Sequence, residues 1–278
     1  MSTDERRPVA LISGVARPPG IGYATALKLA AAGADLLVAD LVGEGDTGFA
    51  AESVFDEVLA EVTAAVQTHG GRVVGHRMKS LQSQEISTLF ERAGATFGGL
   101  DWCCILNGAT GPDAGDGPLI DLREDSWRRC LDANLTGALL LAQAAGKAMV
   151  GGGRPGSLVL LSSHAAIAPT PGAGAVGAAR AAVDQLVAVL AAELGPHGIR
   201  VNAVAPLAVE PSPHLPNPGL LALAAREGMP FSDWIARRIP LGRAQQAAET
   251  AAVIAFLCSD AASYVSGVTI PVNGGALS

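Results

Sequence analysis

Short apolar runs rich in β-branched residues alternate with longer alanine-rich segments along most of the chain. This alternation is typical of β-α-β units and predicts a parallel sheet. The predicted strands are Val9–Ser13, Asp35–Asp40, Arg72–Arg77, Trp102–Asn107, Ser157–Ser162, Ile199–Ala205 and Val268–Pro271. The predicted helices are Ile21–Ala32, Glu52–Thr68, Ser83–Thr96, Asp125–Val150, Gly174–Leu194 and Ala247–Cys258. We therefore expect an α/β protein with about seven parallel strands and helices on both faces of the sheet.

One long segment interrupts the alternation after the sixth predicted strand. It spans about residues 207–240 and begins with a proline-rich stretch, which an amphipathic piece follows from Leu220 to Arg238. A long insertion at the carboxyl end of a late strand commonly lies over the ligand crevice of such a sheet. We interpret residues 1–278 as a single domain and residues 207–240 as a substrate lid, with a plain surface excursion as the alternative.

Composition narrows the class of protein. The net charge of −7 provides no basic face for nucleic acid or an anionic membrane. We find no secretory signal and no apolar stretch long enough for a membrane span, and the four cysteines lack metal-site spacing. The sequence thus predicts a cytoplasmic protein without a metal. It contains only two tyrosines, Tyr23 and Tyr264.

A glycine-rich loop joins the first strand to the first helix and has the pattern of a nucleotide-binding turn. Gly14, Gly20 and Gly22 allow close approach of backbone N–H groups to a pyrophosphate at the helix N-terminus, next to Arg17 and Ile21. The second strand ends at Asp40, where a carboxylate accepts hydrogen bonds from ribose hydroxyls and repels a 2′-phosphate. These residues favour NAD over NADP, although Arg17 offers a compensating charge.

Several longer motifs resemble those of the short-chain dehydrogenase/reductase family. They include Asn134-Leu-Thr-Gly137, the strand from Ser157 to Ser163, and the run from Gly198 to Pro206. The resemblance covers about Pro8 to Gly275. It implies a Rossmann-type doubly wound sheet, an NAD(P) cofactor, hydride transfer at a carbonyl or alcohol, and a homo-oligomer, commonly a tetramer. It also implies cofactor contacts at Leu81, Asn107, Arg180, Pro206 and Val209.

The same resemblance identifies a departure at the catalytic positions. The family uses a Ser, matched by Ser163, and an Asn that supports a relay water, matched by Asn134. Its proton-transferring Tyr falls at Val176, and the Lys that lowers the pKa of the Tyr falls at Arg180. An arginine does not exchange its proton at neutral pH.

His164 follows Ser163 directly and is a candidate acid or base, because imidazole titrates near neutral pH. The alternative is that the alternation of side chains along the strand end directs His164 away from Ser163.

Three functions remain open. The chain is an enzyme with altered or non-redox chemistry on a carbonyl- or hydroxyl-bearing small molecule, an inactive subunit that pairs with an active relative, or an ordinary carbonyl reductase that uses water or His164 as proton donor.

Overall fold

The computed structural model describes residues 6–43, 50–213 and 217–276. Seven parallel strands form one sheet: β1 Val9–Ser13, β2 Asp35–Leu41, β3 Val73–Met78, β4 Trp102–Ile105, β5 Gly156–Leu161, β6 Ile199–Pro206 and β7 Thr269–Val272. Their spatial order is β3-β2-β1-β4-β5-β6-β7. The chain thus winds outward in one direction from β1 and in the other from β4. The prediction of a doubly wound, Rossmann-type parallel sheet is confirmed.

Ten α-helices accompany the sheet in the described part of the chain. They are α1 Ile21–Ala31, α2 Glu52–Gln67, α3 Ser83–Phe97, α4 Glu124–Leu131, α5 Gly137–Gly152, α6 His164–Ile167, α7 Gly174–Leu194, α8 Pro218–Arg226, α9 Phe231–Arg238 and α10 Ala247–Cys258. The core lies on both faces of the sheet. One buried cluster packs α3, α5 and α7 against one face, and a second packs α1, α2 and α10 against the other.

Two segments near the site differ from the elements that the sequence predicts. The helix expected over Asp125–Val150 is three segments, because a π-helical turn at Asp132–Thr136 separates α4 from α5. A π turn adds a residue to one turn and often occurs at functional positions. The amphipathic piece after β6 forms two short helices, α8 and α9, whose apolar side chains share a small cluster around Trp234 and Ile235.

The prediction that no apolar stretch reaches membrane-spanning length was wrong. Among the described residues, Gly174–His197 is long and apolar enough by length and composition, with a mean hydropathy of 1.5. This stretch contains α7, whose Val183 and Val187 are buried in the core beside the sheet. A core helix passes the same test, so the finding is weak evidence for a membrane span, and the cytoplasmic location stays a prediction.

Candidate active site

The candidate site lies at the carboxyl ends of β1 and β4, where the strand order reverses. Ligands of doubly wound sheets bind at this switch point. Gly14 follows β1 with a positive φ of 86°, and a Cβ there would lie 2.7 Å from the carbonyl carbon of Leu106. A Cβ on Gly22 would overlap the carbonyl oxygen of Gly14. Both positions therefore require glycine to bring the loop, β4 and the start of α1 together.

Asp40 lies at the end of β2 beside this loop and is almost fully buried. Its Oδ2 accepts a hydrogen bond from the backbone N–H of Ala16 at 2.7 Å, and its Oδ1 accepts one from Leu41 N–H at 2.7 Å. The side-chain amide of Asn107 approaches Oδ1 at 3.4 Å. Burial raises the pKa of the Asp40 carboxyl, and these backbone donors and the charge of Arg17 oppose the rise. The carboxylate thus lies beside the glycine-rich loop, and its contact with ribose hydroxyls stays a prediction.

The crevice contains polar atoms that fit the adenosine half of a dinucleotide. Ser13 Oγ and Asn107 Oδ1 are buried at the ends of β1 and β4 and have no hydrogen-bond partner within the described residues. A buried polar atom without a partner costs free energy, and a hydroxyl-rich ligand in the crevice would provide partners. When bound there, NAD supplies hydride exchange at its nicotinamide ring.

The other predicted cofactor positions lie in the glycine-rich loop, beside the start of α5, and at or just after the end of β6. Gly20 caps α1, Ile21 begins it, and Arg17 lies in the loop before them. Leu81 packs against Gly137 at the start of α5, Pro206 ends β6, and Val209 bridges to Gln245. Ser212, just beyond, donates a hydrogen bond to the carbonyl of Pro18 at 3.4 Å. The segment after β6 therefore contacts the glycine-rich loop. Cofactor binding by each of these residues stays a prediction.

Asn134 is buried in the π turn between α4 and α5, and protein groups satisfy its side chain. Its Oδ1 accepts from Ala109 N–H at 3.2 Å, and its Nδ2 donates to the carbonyls of Ala109 at 3.0 Å and Cys130 at 3.1 Å. Asn134 therefore fixes the loop that follows β4 to the helix. Its own backbone carbonyl accepts a hydrogen bond from Arg180 at 3.3 Å.

Ser163 follows β5 and caps the short helix α6. Its Oγ accepts a hydrogen bond from Ala165 N–H at 3.2 Å, which leaves the hydroxyl proton available to a substrate oxygen. The next residue, His164, is buried, and its Nδ1 lies 3.3 Å from the side-chain amide of Asn273, beyond β7. Burial lowers the pKa of His164, which favours the neutral imidazole. The side chain of His164 thus faces Asn273, and its role as an acid or base stays a prediction.

Val176 occupies the first turn of α7 and is 6% exposed. It belongs to a small apolar cluster with Cys130 and Ala175, against which Leu122 and Trp127 pack. The two tyrosines lie elsewhere. Tyr23 Oη is hydrogen-bonded to Glu61 between α1 and α2, and the side chain of Tyr264 is fully exposed. No phenol is therefore placed beside Ser163.

Arg180 is fully buried one turn after Val176 and donates to three backbone carbonyls. Nη1 contacts the oxygen of Leu161 at 2.7 Å and that of Asn134 at 3.3 Å, and Nη2 contacts the oxygen of Asn107 at 3.0 Å. Burial lowers the pKa of the guanidinium to about 10, so that it remains charged at neutral pH. Its Nη2 also lies against Gly108, at a distance that a Cβ would overlap.

These contacts were not foreseen from the sequence, which predicts Arg180 as a ribose ligand. A guanidinium has five N–H donors, and three of its four Nη donors bind the protein backbone here. Arg180 therefore joins the ends of β4 and β5 to the π turn that holds Asn134. Two features of the sequence could have indicated these contacts. Arginine stands at the position where the family that this chain resembles has lysine, and position 108 is a glycine.

Comparisons with known proteins show which family this chain belongs to. A family profile described as Enoyl-(Acyl carrier protein) reductase matches residues 14–276. A 2,5-dichloro-2,5-cyclohexadiene-1,4-diol dehydrogenase of Sphingobium indicum is 34% identical over 256 residues, 92% of each chain. A cis-4-hydroxycyclohexanecarboxylate dehydrogenase of Sinomonas cyclohexanicum is 33% identical over 269 residues, 96% of this chain and 95% of the relative.

Among solved structures, a carveol dehydrogenase from Mycobacterium avium in complex with NAD aligns with a TM-score of 0.84 and 29% identity over 96% of each chain. The residues that the family profile matches include the glycine-rich loop, the residues after β4 and Ser163. The chain belongs to the short-chain dehydrogenase/reductase family, whose relatives here include NAD-dependent oxidoreductases.

Proposed function

We propose that this protein binds NAD and acts on a carbonyl- or hydroxyl-bearing small molecule without a tyrosine proton donor. The observation that carries the proposal is the pair of side chains on α7. Val176 brings no titratable group, and Arg180 donates to three protein carbonyls. The crevice at β1 and β4 retains the acceptor Asp40 and two buried polar atoms that suit a dinucleotide.

Ser163 is the donor that remains for the substrate. Its oxygen is oriented by Ala165 N–H, so that its hydroxyl can donate a hydrogen bond to a carbonyl or alcohol oxygen. A single neutral hydrogen bond polarises a carbonyl but transfers no proton at neutral pH. The chemistry therefore needs another source of the proton, which is where this protein departs from the mechanism that the family uses.

The surroundings of position 176 support an apolar substrate. Val176, Ala175 and Cys130 form a buried apolar cluster between α7 and α4, and Leu119, 58% exposed, packs on Gly174 at the start of α7. Burial of apolar atoms provides binding free energy roughly in proportion to area, about 25 cal/mol per Å². The two relatives described above carry the names of dehydrogenases of six-membered ring alcohols, which supports a compact alicyclic substrate.

A restoration experiment tests the proposal. We expect the double variant Val176→Tyr with Arg180→Lys to raise NADH-dependent reduction of cyclohexanone derivatives above that of the parent, because it restores the tyrosine and lysine that the family uses for proton transfer. The matched control is Val176→Phe with Arg180→Lys, which has the same ring without the hydroxyl. NAD and NADP binding is measured by calorimetry for all three proteins.

Each outcome separates the alternatives. Tight NAD binding with a gain only in the tyrosine variant supports a bound cofactor beside a site that lacks its usual acid. Absence of NAD and NADP binding in the parent contradicts the proposal.

A second candidate is a non-catalytic subunit that pairs with an active relative. It is favoured by the 3.3 Å contact of Arg180 Nη1 with the carbonyl of Asn134, because the family resemblance places a proton-relay water at that Asn. Under this candidate the purified chain shows no turnover, and co-expression with a neighbouring family member gives a stable mixed oligomer. A homomeric preparation with measurable turnover would exclude it.

A further inference from the structure

Asp116 lies in the loop between β4 and α4, which is held against the beginning of α7. The backbone N–H of Gly117 donates to the carbonyl of Gly172 at 2.8 Å. On the other side, a Cβ on Gly115 would lie 2.9 Å from Ala175 Cβ and 3.0 Å from Cys130 Cβ. The loop is thus in van der Waals contact with the apolar cluster that contains Val176.

The charge of Asp116 changes the pKa of Cys130, which belongs to that cluster. Burial raises the pKa of the Cys130 thiol, and the Asp116 carboxylate raises it further, whereas Arg180 and the Asn134 amide lower it. Asp116 and Arg180 are therefore the two charged groups that act on the Cys130 side chain. Of the two, the carboxyl is the group that can act as a general acid or base, because a guanidinium keeps its proton.

The carboxyl of Asp116 is held between this loop and the lid segment. Its Oδ2 accepts from Gly111 N–H at 2.7 Å, and its own N–H donates to Gly111 carbonyl at 2.9 Å. A Cβ on Gly219, in the first turn of α8, would lie 2.5 Å from Oδ2. Within the described residues no cation pairs with Asp116, and Oδ1 has no hydrogen-bond partner. One oxygen is thus fixed and the other is available to a ligand.

We propose that Asp116 is the acid and base that exchanges a proton with the substrate oxygen in place of the missing tyrosine. This inference rests on the proposed function. In the reductive direction the carbonyl carbon accepts a hydride from reduced nicotinamide, and the carbonyl π pair forms an O–H bond with the proton of the Asp116 carboxyl. The resulting carboxylate regains a proton from solvent. In the oxidative direction the carboxylate accepts the alcohol proton as the hydride leaves.

The surroundings of Asp116 determine the direction of the pH dependence. Cys130 faces it from α4, the first turn of α7 carries no titratable side chain, and α8 carries none before Arg226. In the same loop Asp113 is fully exposed and lies 4.0 Å from Arg129. Burial raises the pKa of Asp116, and the Gly111 N–H opposes the rise. Reduction needs the protonated carboxyl, so its rate falls as pH rises through this pKa, whereas the rate of alcohol oxidation rises.

The test compares Asp116→Asn with Asp113→Asn, a substitution of the same type in the same loop. With NADH and a cyclic ketone, we expect Asp116→Asn to lower kcat about 100-fold and to remove the pH step, because a positioned acid contributes at least that much. Asp113→Asn should keep kcat within 2-fold of the parent and should retain the pH step. NAD affinity should be unchanged in both variants. A kcat for Asp116→Asn equal to that of the parent overturns the proposal while leaving NAD-dependent turnover intact. An increase in KM alone does the same and indicates substrate binding.

A second measurement does not depend on turnover. Carboxyl ¹³C resonances of the NAD-bound protein are titrated, and the Asp116 signal is identified as the one missing from the Asp116→Asn spectrum. We expect this carboxyl to titrate above the ordinary aspartate value. A titration at or below the ordinary value overturns the proposal, because no proton would then be held for transfer. A parent without any turnover contradicts both this inference and the catalytic part of the proposed function.

Discussion

Replacing Arg180 with lysine tests whether this side chain maintains the geometry of the site. Two nitrogens of the guanidinium donate hydrogen bonds to the carbonyls of Leu161, Asn134 and Asn107, at 2.7, 3.3 and 3.0 Å respectively. A lysine has one nitrogen on a shorter stem, so we expect it to keep one of the three contacts. Hydrogen bonds from charged donors contribute about 1.5 kcal/mol each or more. Loss of two predicts a decrease of about 3 kcal/mol in the free energy of unfolding, or roughly 6 °C in Tm for a chain of this size.

The Tm difference between the parent and Arg180→Lys should also depend on pH. Burial without a carboxylate partner lowers the pKa of a lysine, whereas Arg180 keeps its charge below a pKa of about 10. The cost of the charged lysine is present at low pH and is relieved as pH rises through its folded-state pKa. Thermal unfolding followed by circular dichroism should therefore show a larger Tm deficit for Arg180→Lys at pH 6 than at pH 9.

Arg200 provides the matched control for this experiment. It also donates to three backbone carbonyls, those of Val265, Cys258 and Ser259, but at 3.3 to 3.4 Å and from a half-buried position where water can replace it. We expect Arg200→Lys to cost about 1 kcal/mol or less. If Arg180→Lys is no less stable than Arg200→Lys, Arg180 does not hold the site together.

Three further predictions concern the cofactor crevice and its borders. Asp40→Asn should weaken NAD binding about 10-fold or more, since charge-assisted hydrogen bonds to hydroxyls are lost. In the parent, calorimetry should show NAD affinity falling as pH decreases through the raised pKa of Asp40, a dependence that the variant lacks. Gly22→Ala should lower the free energy of unfolding by about 3 kcal/mol, because its Cβ overlaps the Gly14 carbonyl. Gly94→Ala, at an exposed position of α3 with no atom within 4 Å, should raise the free energy of unfolding by about 0.5 kcal/mol. Equal denaturation midpoints for the two variants would contradict this. His164→Gln should leave turnover and its pH profile within about 2-fold of the parent, because the neutral imidazole faces Asn273; loss of a pH step would instead identify His164 as the proton donor.

Most of the fold could be predicted from local pattern. The strands carry continuous apolar runs because both faces of a parallel sheet are covered, and the predicted ends of β1 and β2 agree with the structure to within one residue. The interruption of α4 and α5 by a π turn was not predicted, since the hydrophobic period of that region is the same as in a regular helix. The turn is held by tertiary hydrogen bonds from Asn134 and Arg180, which no local pattern displays.

The site was predicted unevenly for the same reason. The sequence identified Ser163 and Asn134, which the structure places at the end of β5 and in the π turn, and it identified the absence of a phenol at position 176. It gave no indication of Asp116, because a lone aspartate in a glycine-rich loop is usually a turn residue. Its position next to α7 and α8 depends on contacts from Gly115, Gly117 and Gly219. Such contacts between distant segments are the part that the sequence alone does not supply.

The close approach of Arg180 to Gly108 couples these two positions energetically. A Cβ at position 108 would overlap Nη2, so a larger residue there requires the guanidinium to shift and to give up its contact with the carbonyl of Asn107. We therefore expect a substitution at 108 to cost more stability in this chain than in a variant with a smaller residue at 180. The two positions form an epistatic pair, and a double-mutant cycle measures the coupling between them.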